Sequence, residues 1–220
     1  MPSILEEIWP PFALHVEVGP LTLRLMRDED LPELAEAAEA GIHADSLRPF
    51  PRDWASADAT TVGRDLARRC WRYRAGLGDD EWALPLVVRH EGNIVGIQGA
   101  EARHYPALRT PDTFSWLTRS VHGRGIGTLM RRALCVLFFD ELGAHQITSG
   151  AYADNPASAA VSRKVGYRPN GGKLELRDGL AAEHRRFVLD PADLVRPEQI
   201  VAISGAAGLR TVLGVGDPDE

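Results

Sequence analysis

Cysteine is nearly absent from this chain of 220 residues; only Cys70 and Cys135 occur. They lie far apart, each in a segment of helical spacing, so neither a disulfide framework nor a Cys-x-x-Cys metal site is available. No metal is expected, and a reduced, cytoplasmic setting is the expectation. Long apolar runs are also missing. No uninterrupted stretch approaches the ~18 residues a membrane span requires, and the opening "MPSILEEIWPPF" has no basic segment ahead of an apolar one. Charge of one sign is not concentrated anywhere: 25 lysines and arginines against 31 aspartates and glutamates give a net charge of -6. That balance counts against a nucleic-acid partner and against an anionic membrane surface. No internal repeat or low-complexity tract is present, and 44% hydrophobic residues suffice for one large core.

What is present alternates between two periods. Leu21, Leu23 and Leu25 repeat every second residue after "HVEVGP", which predicts two short strands. A helix is expected from about Asp30 to Ala40, stopped by Gly41, then the proline-bearing loop "HADSLRPFPRDWASADA", then a second helix through Val62, Leu66, Cys70 and Tyr73. "WALPLVVRH" and "IVGIQGAEARH" flank the turn "EGN" as a hairpin, and "DTFSWLTRS" forms another strand. From Arg124 to Leu142, the residues Leu129, Ala133, Val136 and Leu137 mark one apolar helix face. "AHQITSGAY" reads as a strand, and "NPASAAVSRKVGY" as a helix capped by Asn155 with Pro156 in its first turn. A closing strand pair surrounds Asp178-Gly179. The expected organisation is an N-terminal arm (1–15), one α/β domain (16–190), and a C-terminal extension (191–220) packed on the core with a loose acidic end.

Between strand and helix stands "SVHGRGIGTLMRRAL", with Gly123, Gly125 and Gly127 at alternate positions. A dinucleotide fold would place such glycines after the first strand of a βαβ unit, and a nucleoside-triphosphate loop would end in Gly-Lys-Ser/Thr; the chain meets neither condition. What remains is a glycine turn whose bare amides, at a helix N-terminus, suit an anion.

The run His122-Gly123-Arg124-Gly125-Ile126-Gly127, followed 28 residues after Gly127 by Asn155, Ser158 and then Gly166-Tyr167, resembles two motifs of the GNAT superfamily of acyl-coenzyme A transferases. These are its pyrophosphate loop, Gln/Arg-x-x-Gly-x-Gly/Ala, and its Asn-x-x-Ser…Gly-Phe/Tyr helix. "WLTRSVHGRGIG" is most similar to the branch of ribosomal-protein N-terminal acetyltransferases, which includes succinyltransferase-like members. The resemblance spans about Val16 to Asp190. His122 departs from the family's usual glutamine or arginine.

The resemblance implies an α/β (α+β) fold: a mixed, mostly antiparallel twisted sheet flanked by helices, with central strands splayed into a cleft for coenzyme A (CoA). It implies acetyl-CoA or succinyl-CoA as donor, and transfer of the acyl group to a primary amine by direct attack in a ternary complex. The acceptor would be an amine-bearing small molecule or protein, with a homo-oligomer left open. Leu117, Thr118 and Arg119 would bond the pantetheine arm. His122, Gly123, Arg124, Gly125, Ile126, Gly127 and Thr128 would form the pyrophosphate loop. Asn155 and Ser158 would touch the arm, and Arg124, Arg131, Arg163 and Lys164 could approach the phosphates. Ser158, with Ser162 second, would assist the leaving thiolate. Glu101 is the first candidate base, with His104 and Asp112 behind it. Arg48 and Arg52, beside Trp54 and near Trp116 in the acceptor region, would suit a dicarboxylic acyl group. Two other readings stay open: a catalytically inactive acyl-CoA-binding or regulatory module, and a member using another acyl carrier such as aminoacyl-tRNA.

Overall fold

Alternation with period two builds most of the chain into a single twisted sheet. A computed structural model of the protein describes residues 3–44 and 47–216; the acidic end expected at 217–220 lies outside them. The strands are β1 (His15–Val18), β2 (Leu21–Leu25), β3 (Glu81–His90), β4 (Asn93–Arg103), β5 (Asp112–Leu117), β6 (Ile147–Tyr152), β7 (Arg168–Arg177), β8 (Leu180–Leu189) and β9 (Val201–Ser204). Their order is β7-β8-β6-β5-β4-β3-β2-β1-β9. Among the described residues only β5 and β6 run parallel. The C-terminal extension supplies β9, which pairs with β1 from His15↔Ser204 to Val18↔Val201.

Helices cover the two faces unequally. After the short α1 (Ile4–Ile8), α2 (Leu31–Glu39) and α3 (Ala59–Ala75) pack over one face. Leu34, Val62 and Leu66 meet Val87, Ile94, Ile97 and Trp116 there. The short α4 (Tyr105–Leu108) follows β4. On the other face lie α5 (Ile126–Val136), which continues through a π-turn to Glu141, α6 (Pro156–Val165) and α7 (Ala206–Leu213). Their core includes Ile126, Met130, Ala133, Leu134, Leu137 and Phe138.

One buried carboxylate ties α2 to the sheet. Asp30, fully buried, accepts from Arg24 at 2.7 and 2.9 Å, from Arg89 at 3.3 Å and from the Arg27 amide at 2.9 Å. Removing one partner of such a pair leaves uncompensated charge, at a cost of about 3–5 kcal/mol. Asp30→Ala should therefore lower the melting temperature by roughly 10 °C for a chain of this size. A calorimetric scan showing a drop of less than about 3 °C would contradict this account.

Candidate active site

The site begins where β5 and β6 part. They pair at Asp112↔Thr148 and Thr113↔Ser149 and then separate. The Thr148 amide bonds the Pro111 carbonyl at 2.8 Å, whereas the Thr118 amide bonds Val95 of β4 at 2.8 Å. Strand alternation therefore turns the main-chain groups of Ser115 and Leu117 toward the gap. Beyond Thr113 these groups have no partner on β6, so the wedge presents an unpaired strand edge. The Leu117 carbonyl there accepts from His122 Nε2 at 2.9 Å. His122, the departure from the family motif, thus bonds the end of β5.

The glycine loop follows at the mouth of the wedge. Gly125 caps α5 in the left-handed conformation (φ 82°), and Gly123 has φ 75°. A Cβ at either would meet nothing within 4 Å. The Gly125 carbonyl takes the amides of Thr128 and Leu129 at 3.1 and 3.0 Å. Among the described residues no backbone acceptor meets the amides of residues 123–127. Arg124, Gly125 and Ile126 of this run line a cavity of about 570 Å³ together with Thr128, Arg132, Lys164, His90 and Glu198. Open amides, a helix N-terminus and three cations against one carboxylate suit an anion such as a polyphosphate.

Three expected donors need correction. The Thr118 amide is committed to Val95, the Arg119 amide to Gly41 at 2.9 Å, and the Thr128 amide to Gly125. A motif does not show which carbonyl such an amide meets. Arg131 is corrected too. Its guanidinium is buried in the sheet, 4% exposed, and does not line that cavity. Leu129, expected on the apolar face, packs half-buried against the core and also borders that cavity.

On α6, Asn155 Oδ1 caps the Ser158 amide at 3.2 Å. Ser158 is half-buried, whereas Ser162 is 1% exposed and its hydroxyl has no hydrogen-bond partner. An orphaned hydroxyl in the core is uncommon and is the kind of group a ligand satisfies. The amides, the unpaired edge and this hydroxyl together fit a phosphate-bearing pantetheine group.

The opposite face holds different chemistry. Ser115 and Ser149 point toward α5, so their neighbours Phe114, Trp116, Gly150 and Tyr152 point away from it. Glu101 sits across from Asp112 on that side. Desolvation pushes the Glu101 carboxyl above its ordinary range, and the facing Asp112 adds to this. Burial raises Asp112 as well, against the pull of Arg131. His104 stands away from the wedge, 3.6 Å from Asp80 beyond the end of β4.

Sequence reasoning missed His184. It pairs with Tyr152 across β6 and β8, its ring edge-on to the Tyr152 ring at 5.1 Å and pressed on Gly150, the first β6 residue past the last β5 pair. His184 Nε2 lies 3.8 Å from Glu175 Oε2, and Nδ1 is buried with no hydrogen-bond partner. Burial lowers its pKa, partly offset by Glu175, so the imidazole is neutral at pH 7. The available signal was period two: His184, Arg186 and Val188 share a face opposite Arg185, Phe187 and Leu189.

A strap crosses this face. The β7–β8 tip reaches the loop between α2 and α3, with the Asp178 amide on Pro51 at 3.0 Å, the Asp53 amide on Asp178 at 3.3 Å and Arg177 on the Arg48 carbonyl at 3.1 Å. Arg48 Nε lies 3.7 Å from Asp53. Arg52 is exposed on the same loop. Trp54 stacks edge-on to Trp116 at 5.8 Å and against Phe50 at 5.5 Å, and both tryptophans are buried.

Comparison with known proteins decides the family. The family model described as acetyltransferase (GNAT) domain matches residues 20–168, more than half of the chain. The chain belongs to the GNAT acetyltransferase family. The mycothiol acetyltransferase of Nocardia farcinica is 29% identical over 147 residues, 66% of this chain and 41% of that longer protein. The chain therefore spans less than half the length of this curated relative. Among solved structures, Mycobacterium smegmatis RimJ in complex with CoA-disulfide superposes with TM-score 0.66 at 22% identity, covering 91% of this chain and 94% of that one. RimL, a ribosomal L7/L12 alpha-N-protein acetyltransferase in complex with coenzyme A, gives TM-score 0.64 at 17% identity, covering 79% and 98%. At these identities the likeness establishes the GNAT fold. Among the described residues no helix is long and apolar enough to cross a membrane, and no cluster of His, Cys, Asp and Glu could hold a metal ion.

Proposed function

We propose that the protein transfers an acetyl group from acetyl-CoA to a primary amine. The observation that carries this reading is the wedge: an unpaired β5 edge ending in five open amides beside Arg124, Arg132 and Lys164. The CoA thioester would supply an activated acyl carbon for direct attack. Amides 123–127 would hold the pyrophosphate, with Leu117 and Ser115 alongside the arm and Asn155 near it. Ser158 and Ser162, one turn apart on α6, would offer hydroxyls to the departing sulfur.

His184 is the base in this reading. Nδ1 has an unshared pair when Nε2–H points to Glu175, and burial keeps the ring neutral. Glu101 and Asp112 lie on the same sheet face and favour a cationic amine at its approach. Succinyl transfer has less support, because Arg48 is already near Asp53. The acceptor is an amine on a small molecule or a peptide terminus, admitted beneath the strap from the face opposite the phosphate cavity.

Calorimetric titration with CoA, acetyl-CoA and succinyl-CoA, followed by thiol-release assays over a panel of amines, tests the proposal. Binding of acetyl-CoA with succinyl-CoA no tighter is expected; absence of binding by any of the three would end it. A second test concerns Gly150, where a Cβ would overlap the His184 ring. Gly150→Ala should displace the imidazole and reduce kcat at least about 10-fold, within the range of a lost acid–base group, with CoA affinity unchanged. Full activity in that variant would remove His184 from the reaction.

A further inference from the structure

Arg131 lies on α5 between Met130 and Arg132, and its guanidinium turns inward beneath the wedge. Nε donates to Gln98 Oε1 of β4 at 3.0 Å, Nη2 to Ser115 Oγ of β5 at 2.9 Å, and Nη1 to Ser149 Oγ of β6 at 3.0 Å. One side chain thus bridges three strands, including the two that part. All three acceptors are neutral. Arginine stays protonated inside proteins, so a full positive charge is buried here. Among the described residues no carboxylate forms an ion pair with it. Each terminal nitrogen carries two N–H groups and donates one of them to a serine, which leaves two further donors.

An unpaired buried charge is costly, and the usual remedy is a counter-ion. The site of this charge identifies the missing one. Thr113↔Ser149 is the last pair before the strands separate, and Ser115 is the next inward-facing residue on β5. From Leu117, at the phosphate-loop end, to Ser115 is two residues, roughly 7 Å of strand. A ligand anchored by phosphate on residues 123–127 and laid along the free β5 edge brings its far end to Ser115, and therefore to Arg131.

We propose that Arg131 supplies the positive charge that receives the thiolate left by acyl transfer, completing an ion pair only when the sulfur is present. This rests on the CoA reading above. In the transfer the acceptor nitrogen bonds the acyl carbon, the carbon–sulfur bond breaks with its electron pair on sulfur, and the amine proton passes to His184. The sulfur is left with one negative charge opposite one guanidinium. A hydroxyl such as Ser158 or Ser162 is a weak acid, so a fixed cation relieves the need to protonate sulfur as it leaves.

The titratable groups around Arg131 do not obscure a test of this proposal. They are Asp112 from β5, Cys135 one turn along α5, and Tyr167 after α6, whereas β4 and β6 present Gln98 and Ser149. Burial pushes the Cys135 thiol up to about 11 and Tyr167 well above its ordinary value, so both stay neutral near pH 8. Asp112, on the other sheet face, is raised by burial and opposed by Arg131.

The test reads the thiol itself. Ultraviolet thiolate absorbance of CoA bound to the wild-type protein is followed against pH, with desulfo-CoA affinity measured by calorimetry as the control. The bound thiol should titrate at least one pH unit below the thiol of free CoA followed in the same way. Arg131→Met should abolish that shift while desulfo-CoA affinity stays within about threefold, and Arg131→Lys should keep part of it. An unshifted thiol in the wild type overturns the proposal whether or not the Met variant folds, and so does a shift that survives in that variant. Loss of succinyl-CoA binding alone, with the thiol titration unchanged, also overturns it by assigning the charge to an acyl carboxylate. If the wild type binds neither CoA nor desulfo-CoA, the CoA reading itself falls and takes this one with it.

Discussion

Gly125→Val should lower CoA affinity at least about 100-fold while leaving the protein folded. Gly125 holds φ 82° at the N-terminus of α5, and a Cβ there would project into open space beside the cavity. A β-branched residue in the left-handed region costs about 1–2 kcal/mol or more per residue. The chain can relieve this strain only by rotating the peptide planes that aim amides 123–127 outward. The new side chain would also stand where an anion must approach. Melting should fall by roughly 2–4 °C per kcal/mol of that strain, and calorimetric titration with CoA supplies the decisive number. Affinity within threefold of the wild type would mean that the loop is only a turn.

Replacing His184 by alanine should reduce kcat about 10²–10³-fold, the usual span for loss of a positioned base, without changing CoA affinity. Burial lowers the His184 pKa below its ordinary 6.5. The neutral, proton-accepting form therefore persists through pH 7, and wild-type kcat should fall only as pH drops below about 6.5. The variant should lose that acid limb. The same shift has a consequence for stability. Because the folded-state value is depressed, the unfolded chain binds the proton first. The His184 contribution is then complete above pH 6.5 and is lost as pH falls through the folded-state value. A variant that retains the wild-type rate and acid limb would return the role of base to Glu101 or Asp112. A parallel loss of CoA affinity would instead show that the ring mainly supports the sheet around Gly150.

Much of the fold was legible because its causes are local. Alternating Leu21, Leu23 and Leu25, the Glu91-Gly92 and Asp178-Gly179 turns, and the Asn155-Pro156 start of α6 each reflect constraints acting within a few residues. The glycine loop was legible for the same reason, since positive φ and bare amides at a helix start belong to the loop itself. The sequence by itself thus determined β1 to β8, the principal helices and the glycine turn. Its motif pair also pointed to the GNAT family.

Tertiary structure alone decided which groups converge. Helical periodicity left Arg131 among surface cations, because one dimension cannot show that Gln98, Ser115 and Ser149 meet around its guanidinium. His184 gained its position only when β8 paired with β6 and placed its ring on Gly150, a residue without a side chain. Thr118, Arg119 and Thr128 lost their amides to carbonyls of Val95, Gly41 and Gly125, two of them distant in sequence. The physical reason is common to all of these. A backbone period is set by neighbours along the chain, whereas charge burial, hydrogen-bond commitment and close approach depend on which strands lie side by side.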